Sequence, residues 1–141
     1  MKFLLDTCVI SEITKANPKM VVVNWLKNTG ENTHYLSVLT IGEINRGILL
    51  LGDCEKASRL RGWFEGDLLK NFTGRFLPVD ERVAFEWSRQ KTAHQKSGRP
   101  RPEVDLLLAA TAIVNGLTIA TRNTADFDSL EVPVFNPWEY E

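Results

Sequence analysis

The stretch Pro102-Glu103-Val104-Asp105-Leu106-Leu107-Leu108-Ala109-Ala110-Thr111-Ala112-Ile113-Val114-Asn115-Gly116-Leu117-Thr118-Ile119-Ala120-Thr121 decides the fold. Pro102 suits a helix start, because its ring presets φ and its missing N–H is not needed there. Val104 to Val114 is the most apolar helical segment of the chain, interrupted only by Asp105 and Thr111. A helix this apolar is expected in the interior. Asn115-Gly116 ends it, and Leu117 to Thr121 is a short run of strand formers.

Working outward, the same alternation recurs. Lys2-Phe3-Leu4-Leu5 is a short apolar strand ending in Asp6, and Asp6 or Thr7 can cap a helix from Cys8 to about Lys15. Asn17-Pro18 breaks the chain, Val21, Val22, Trp25 and Leu26 form a helical stripe, and Gly30 stops it. Thr33 to Ser37 reads as a second strand. Val38 to Leu51 is a helix closed by Gly52, and Glu55 to about Phe72 is another, with Leu60, Phe64, Leu68 and Leu69 on one stripe. Arg75 to Val79 is a third strand, placed at an edge or a strand end by Pro78. Asp80 caps a helix running to about Ser97. Gly98-Arg99-Pro100-Arg101-Pro102 is a stiff loop, Asn123 to Asp128 a turn, and Val132 to Phe135 a last strand. Strands alternating with helices imply βαβ units, so the expectation is one α/β domain over residues 1–141, a short parallel sheet of five strands with helices on both faces.

Composition agrees. The chain is 43% hydrophobic and 25% charged, the balance of a globular protein. No apolar run approaches the roughly 20 residues that span a bilayer. The opening Met1 to Leu5 is too short for a signal peptide before Asp6 intervenes, so the cytoplasm is expected, with Cys8 and Cys54 as reduced thiols. A net charge of −1 does not exclude a nucleic-acid enzyme, since recruited cations can supply positive charge where a phosphate sits.

In a parallel sheet, ligands bind outside the carboxyl ends of the strands. Asp6 ends the first strand, Glu43 lies early in the helix after the second, Asp105 lies in the first turn of the apolar helix, and Asp126 lies just past the fourth strand. Four converging carboxylates repel one another unless cations neutralise them, and hard oxygen donors suit Mg²⁺ or Mn²⁺. Each acid also has a plainer reading. Asp6 can be a helix cap, Glu43 can form a capping box with Thr40, Asp105 can complement a helix dipole, and Asp126 can be a turn residue. Their shared edge favours the metal reading.

Leu4-Leu5-Asp6-Thr7, Ser37 through Glu43, and Pro102-x-x-Asp105-x-x-x-Ala109-Ala110-Thr111-Ala112 resemble the signature blocks of PIN-domain nucleases. Gly116 to Asn123, Asp126-Phe127 and Phe135-Asn136-Pro137-Trp138 are similar to the VapC and FitB branch of toxins. The resemblance covers the whole chain in order. It implies a PIN-like three-layer domain and a metal-dependent endoribonuclease, with Mg²⁺ or Mn²⁺ held by Asp6, Glu43, Asp105 and Asp126. It also implies Thr7 and Thr121 as supporting polar groups, Asn123 in a similar placement, an RNA substrate, a homodimer and a small cognate antitoxin.

Position 8 departs from that pattern, with Cys where many relatives carry Asn or a small residue. No Cys–His pair is suggested, because His34 and His94 fall on a strand and a distant helix. Arg89, Lys91, Lys96, Arg99 and Arg101 form a basic segment leading to Asp105, which reads either as a guide for RNA phosphates or as a solvated helix face. The tryptophans Trp25, Trp63, Trp87 and Trp138 read as packing or dimer contacts, and surplus apolar surface is expected around Val21, Val22, Trp25 and Ile48 to Leu51. The competing functions are an aspartyl-phosphate phosphatase at Asp6 and a non-catalytic acidic-pocket binding module.

Overall fold

The computed structural model describes all residues, Met1–Glu141. In chain order it comprises β1 (Phe3–Leu5), α1 (Thr7–Ile13), α2 (Met20–Thr29), β2 (His34–Ser37), α3 (Val38–Leu51), α4 (Glu55–Trp63), α5 (Leu69–Asn71), β3 (Phe76–Leu77), α6 (Glu81–Lys96), α7 (Glu103–Asn115), β4 (Thr118–Ala120) and β5 (Val134–Phe135). The helix expected from Glu55 to Phe72 is continuous in space but not regular. A π-helical turn, Phe64–Leu68, joins α4 to α5 and keeps Phe64 and Leu68 both in the core.

The five strands lie in the order β3-β2-β1-β4-β5, every pairing parallel. β3 is an edge strand, where the neighbouring Pro78 removes no ladder bond. β1 is the central strand and is buried on both faces, which is why its residues show no polar alternation. Phe3 and Leu5 point into one cluster with Val9 and Ile10 of α1, Val22 and Trp25 of α2, and Ile48 of α3. Leu4 points the other way, into a cluster with Leu106, Leu108, Ala109 and Ala112 of α7. β4 divides likewise, Ala120 to the first side and Ile119 to the second. The result is three layers with a core on each side of the sheet.

Trp25 anchors the first core. Its indole stacks on Phe135 at 5.5 Å and meets the Phe3 ring edge-on at 4.9 Å. Val22 and Trp25 are 0% and 1% exposed, so they belong to the core and are not surplus surface. The apolar excess lies instead at the end of α3, where Leu49 and Leu50 are 61% and 70% exposed. No helix is long and apolar enough to cross a membrane.

Helix ends follow local chemistry. Gly52 and Gly116 take φ of 72° and 67°, left-handed backbone that a side chain would strain, and each closes the helix before it. Asp80 accepts from the Val83 N–H as the cap of α6. α3 is capped by Ser37, whose hydroxyl accepts from the Leu39 N–H at 3.0 Å. The alternative capping box between Thr40 and Glu43 therefore does not form: Thr40 is buried with its hydroxyl unpartnered, and Glu43 is left for other contacts.

Candidate active site

Where β1 and β4 run side by side, the chain leaves β1 towards β2 on one flank while β4 continues to β5 on the other. The carboxyl ends of two such strands flank the crevice in which parallel sheets bind ligands. Asp6 stands at the end of β1, its own N–H bonded to the Ala120 carbonyl of β4 at 3.0 Å.

The Asp6 side chain is held on both oxygens. Oδ1 accepts from the Thr7 N–H at 2.8 Å, so the capping reading of Asp6 is met. Oδ2 accepts from the Thr121 hydroxyl at 2.8 Å, and Thr121 is completely buried. Thr121 Oγ1 in turn accepts from the Asn123 N–H at 3.0 Å, and the Asn123 carbonyl accepts from the Asp126 N–H at 3.1 Å. Asn123 thus enters through its backbone, as the link between Thr121 and the 3₁₀ turn Thr124–Phe127 that carries Asp126. On the other flank, Thr7 donates its hydroxyl to Glu43 Oε1 at 3.3 Å, tying α1 to α3.

The sequence singled out Cys8 only as a departure, but it sits inside this network. Its Sγ lies 3.5 Å from Thr121 Oγ1 and 3.9 Å from Asp6 Oδ2, and it accepts from the Arg122 N–H at 3.4 Å. Thr121 directs its hydroxyl proton at Asp6, so the one thiol proton is shared between Thr121 Oγ1 and Asp6 Oδ2. Burial pushes the Cys8 thiol above its ordinary value, the opposite of an activated thiolate. Its position two residues past Asp6, in the first turn of α1, was the available signal. His34 is engaged by the Thr29 hydroxyl at 2.7 Å, and burial, aided by Arg75, pushes it down to about 4. His94 faces the Gln90 and Ser129 carbonyls. Neither histidine partners Cys8.

Electrostatics join the acids. Asp105, half-buried in the first turn of α7, is pushed up to about 6, by loss of solvent first and then by the charges of Asp126, Asp6 and Glu43. Arg101 opposes the shift. Glu43 is also raised, by loss of solvent and by Asp6, against the Thr7 hydrogen bond. Four acids from β1, α3, α7 and the turn after β4 therefore share one field, and they repel.

That donor set suits a hard divalent cation: carboxylate oxygens with hydroxyls beside them, and a surplus of negative charge in a crevice. No three acid, imidazole or thiol groups gather tightly enough to close around an ion unaided. Mg²⁺ and Mn²⁺ characteristically keep part of their water shell and so take fewer protein donors than a closed cage supplies.

The basic segment is largely committed to the protein itself. Arg89 pairs with Glu86 at 2.8 Å and with Glu131 at 3.0 Å, Lys91 pairs with Glu103, and Arg101 donates to Ser129 Oγ through Nε at 3.0 Å and Nη2 at 2.6 Å. Lys96 and Arg99 are exposed. The tryptophans are packing residues: Trp25 is in the core, Trp63 and Trp138 lie against it, and Trp87 donates to Glu103 at 2.9 Å. Beside Thr7 and Glu43 opens a groove of about 260 Å³ between α1, α3 and α4, lined by Ile44, Ile48, Leu51, Leu60 and Trp63, with Lys56 at its margin.

The PIN-domain family model matches residues 3–132, which include β1 to β4 and all four acids. The chain belongs to the PIN-domain family. Within it, the chain stands among FitB-like and VapC-like members. It is 39% identical over 135 residues to Toxin FitB of Neisseria gonorrhoeae, covering 96% of this chain and 97% of that one. It is 32% identical over 136 residues to VapC ribonuclease Y4jK of Sinorhizobium fredii, with 96% and 97% covered. The solved structure of FitAB bound to an IR36 DNA fragment contains a chain of the same fold, with a TM-score of 0.91 and 38% identity, covering 99% of this chain and 97% of that one.

Proposed function

We propose that this protein is the toxin of a toxin–antitoxin pair, an endoribonuclease that hydrolyses RNA phosphodiesters with Mg²⁺ or Mn²⁺ at Asp6, Glu43, Asp105 and Asp126. The observation that carries the reading is the placement of four acids from β1, α3, α7 and the turn after β4 about one crevice, with Asp6 held by the Thr7 N–H and the Thr121 hydroxyl and Glu43 by the Thr7 hydroxyl. Such a cluster is strained without cations, and strain of this kind is a mark of functional sites. Membership of a family whose relatives include a VapC ribonuclease supports the reaction.

A bound divalent cation supplies the positive charge that lets four acids share a site, and it polarises water towards a phosphodiester. The protein's own groups hold and aim. Thr121 and the Thr7 N–H each engage one oxygen of Asp6 and so fix the orientation of its carboxylate. Thr7 restrains Glu43 from the opposite flank. Asn123 carries the turn of Asp126 on the same chain of hydrogen bonds. Asp105, whose carboxyl is pushed up to about 6 by loss of solvent and by its acidic neighbours, is poised to exchange a proton for a cation near neutral pH.

The partners follow from the surface and from the toxin relatives. The groove beside Glu43 fits an amphipathic antitoxin helix laying an apolar face on Leu51, Leu60 and Trp63, which would also obstruct the acids. Leu49 and Leu50 provide the self-complementary patch of a homodimer acting in the cytoplasm. The test is cleavage of single-stranded RNA by the purified chain with Mn²⁺ and with EDTA, alongside phosphate release from a small ester. RNA cleavage that needs the ion supports the reading, and ester hydrolysis without RNA cleavage replaces it with a phosphatase.

A further inference from the structure

Of the cations of α6 and its following loop, Arg89 and Lys91 are ion-paired and Arg101 is bonded to Ser129, so on the β4 side of the crevice an RNA strand needs a positive contact from another element. Arg122 meets that need. It is exposed, and it directly follows Thr121, whose hydroxyl holds Asp6. Its backbone is anchored by the N–H donated to Cys8 Sγ at 3.4 Å. Its guanidinium makes no ion pair. The neighbouring carboxylate, Glu12, is buried and already held by Lys15 Nζ and the Lys19 N–H, each at 2.9 Å.

The guanidinium instead lies over the Trp138 ring, 5.4 Å from its centroid. That ring is a fixed support. Asn136 Oδ1 accepts from the Trp138 N–H at 2.9 Å, Pro137 is buried, and Tyr140 accepts from Asn28 of α2 at 3.0 Å, pinning the C-terminal turn. A cation stacked on an indole keeps its in-plane N–H donors free at little further cost in side-chain entropy. A planar fork of unspent donors matches a phosphate.

We propose that Arg122, supported by Trp138, binds a backbone phosphate of the RNA strand adjacent to the linkage cleaved at the acid cluster. The inference rests on the ribonuclease reading and deepens it, by assigning a substrate contact on the β4 side of the crevice. Arg122 touches substrate, and Trp138 is a positioning residue that acts through it.

The test uses the full chain as wild type, R122Q, R122K and W138L, with a labelled single-stranded RNA of mixed sequence. Equilibrium binding in EDTA is measured across a salt series, and kcat and KM are measured with Mn²⁺. R122Q should weaken binding and raise KM about tenfold, the effect of one charge-assisted contact. It should leave kcat unchanged and lower the salt slope by about 0.7, the release expected from one phosphate of a single strand. R122K should recover the salt slope but not the full affinity, and W138L should weaken binding with the slope kept. Unchanged binding and slope in R122Q overturns the proposal, as does a fall in kcat alone, which would place Arg122 with Cys8 in organising Asp6. Loss of binding to a partner protein with RNA binding intact also overturns it. A wild type that binds RNA but does not cleave it removes the ribonuclease reading while leaving the phosphate contact measurable. A wild type that does neither removes both.

Discussion

The Thr121 hydroxyl donates to Asp6 Oδ2 at 2.8 Å, joining the end of β4 to the end of β1 through two side chains, one of them wholly buried. A buried donor aimed at one oxygen of a carboxylate fixes which lone pairs remain for a ligand. T121V should keep the fold and weaken Mn²⁺ affinity by about 10- to 100-fold, the usual cost of losing such a support. T121S should retain most of it. Titration of Mn²⁺ into the two variants decides the matter, and equal affinities would remove Thr121 from the site.

Asp105 gives a pH prediction with a definite sign. Its carboxyl lies at about 6 in the fold against 3.8 as the ordinary value, so the native state holds the proton more tightly than the unfolded chain. Stability from this group is therefore fully present below the ordinary value, falls as pH rises through that window, and is lost above about 6. D105N escapes the loss. In EDTA near neutral pH it should melt a few degrees above wild type, about 1 kcal/mol after allowance for solvent screening. The gap should close in acid, and should shrink or reverse with Mg²⁺, which only the wild type binds fully. A variant that melts lower in EDTA and in Mg²⁺ would restore the plain helix-dipole role.

Glu43 separates two readings cleanly. Ser37 caps α3, so S37A should cost about 1 kcal/mol. E43Q should cost no such amount, yet should abolish RNA cleavage. Chemical denaturation alongside a cleavage assay checks both.

That distinction was not legible in the sequence. Thr40 and Glu43 have the spacing of a capping box, but Ser37 lies three residues earlier at the end of β2 and takes the cap. Which hydroxyl caps depends on where the strand ends, a tertiary matter. Helix ends at Gly30, Gly52 and Gly116 were readable because a positive φ is a local demand. The parallel sheet was readable from alternation, whereas its order, with β1 central, is set by which faces bury together. The acids were visible individually, and their convergence came from the strand ends. The pairing of Arg89 with Glu131 and of Lys91 with Glu103 was hidden, since those acids lie on other elements.

Trp25 carries the core on the α1–α2 side. W25A should cost about 3–5 kcal/mol, the usual range for removing a fully buried large aromatic. F85A, at a residue 68% exposed, should change stability by less than about 0.5 kcal/mol. Urea denaturation of both variants tests the assignment, and similar losses would contradict it.

The groove beside the acids predicts a separable partner site. L51E, at a residue 40% exposed, should abolish binding of the cognate antitoxin and leave RNA cleavage by the free chain intact. Co-purification with the cognate antitoxin reads the first, and a cleavage assay the second. Retained antitoxin binding would move the partner to another surface.

Asp6, Glu43, Asp105 and Asp126 are proposed to hold a divalent cation together. An anomalous difference map from a crystal soaked in Mn²⁺ tests it most directly. A peak is expected in the crevice between Asp6 and Asp105, absent in D6N. A map without a peak there at saturating Mn²⁺, or with its peak at acids outside this cluster, would contradict it.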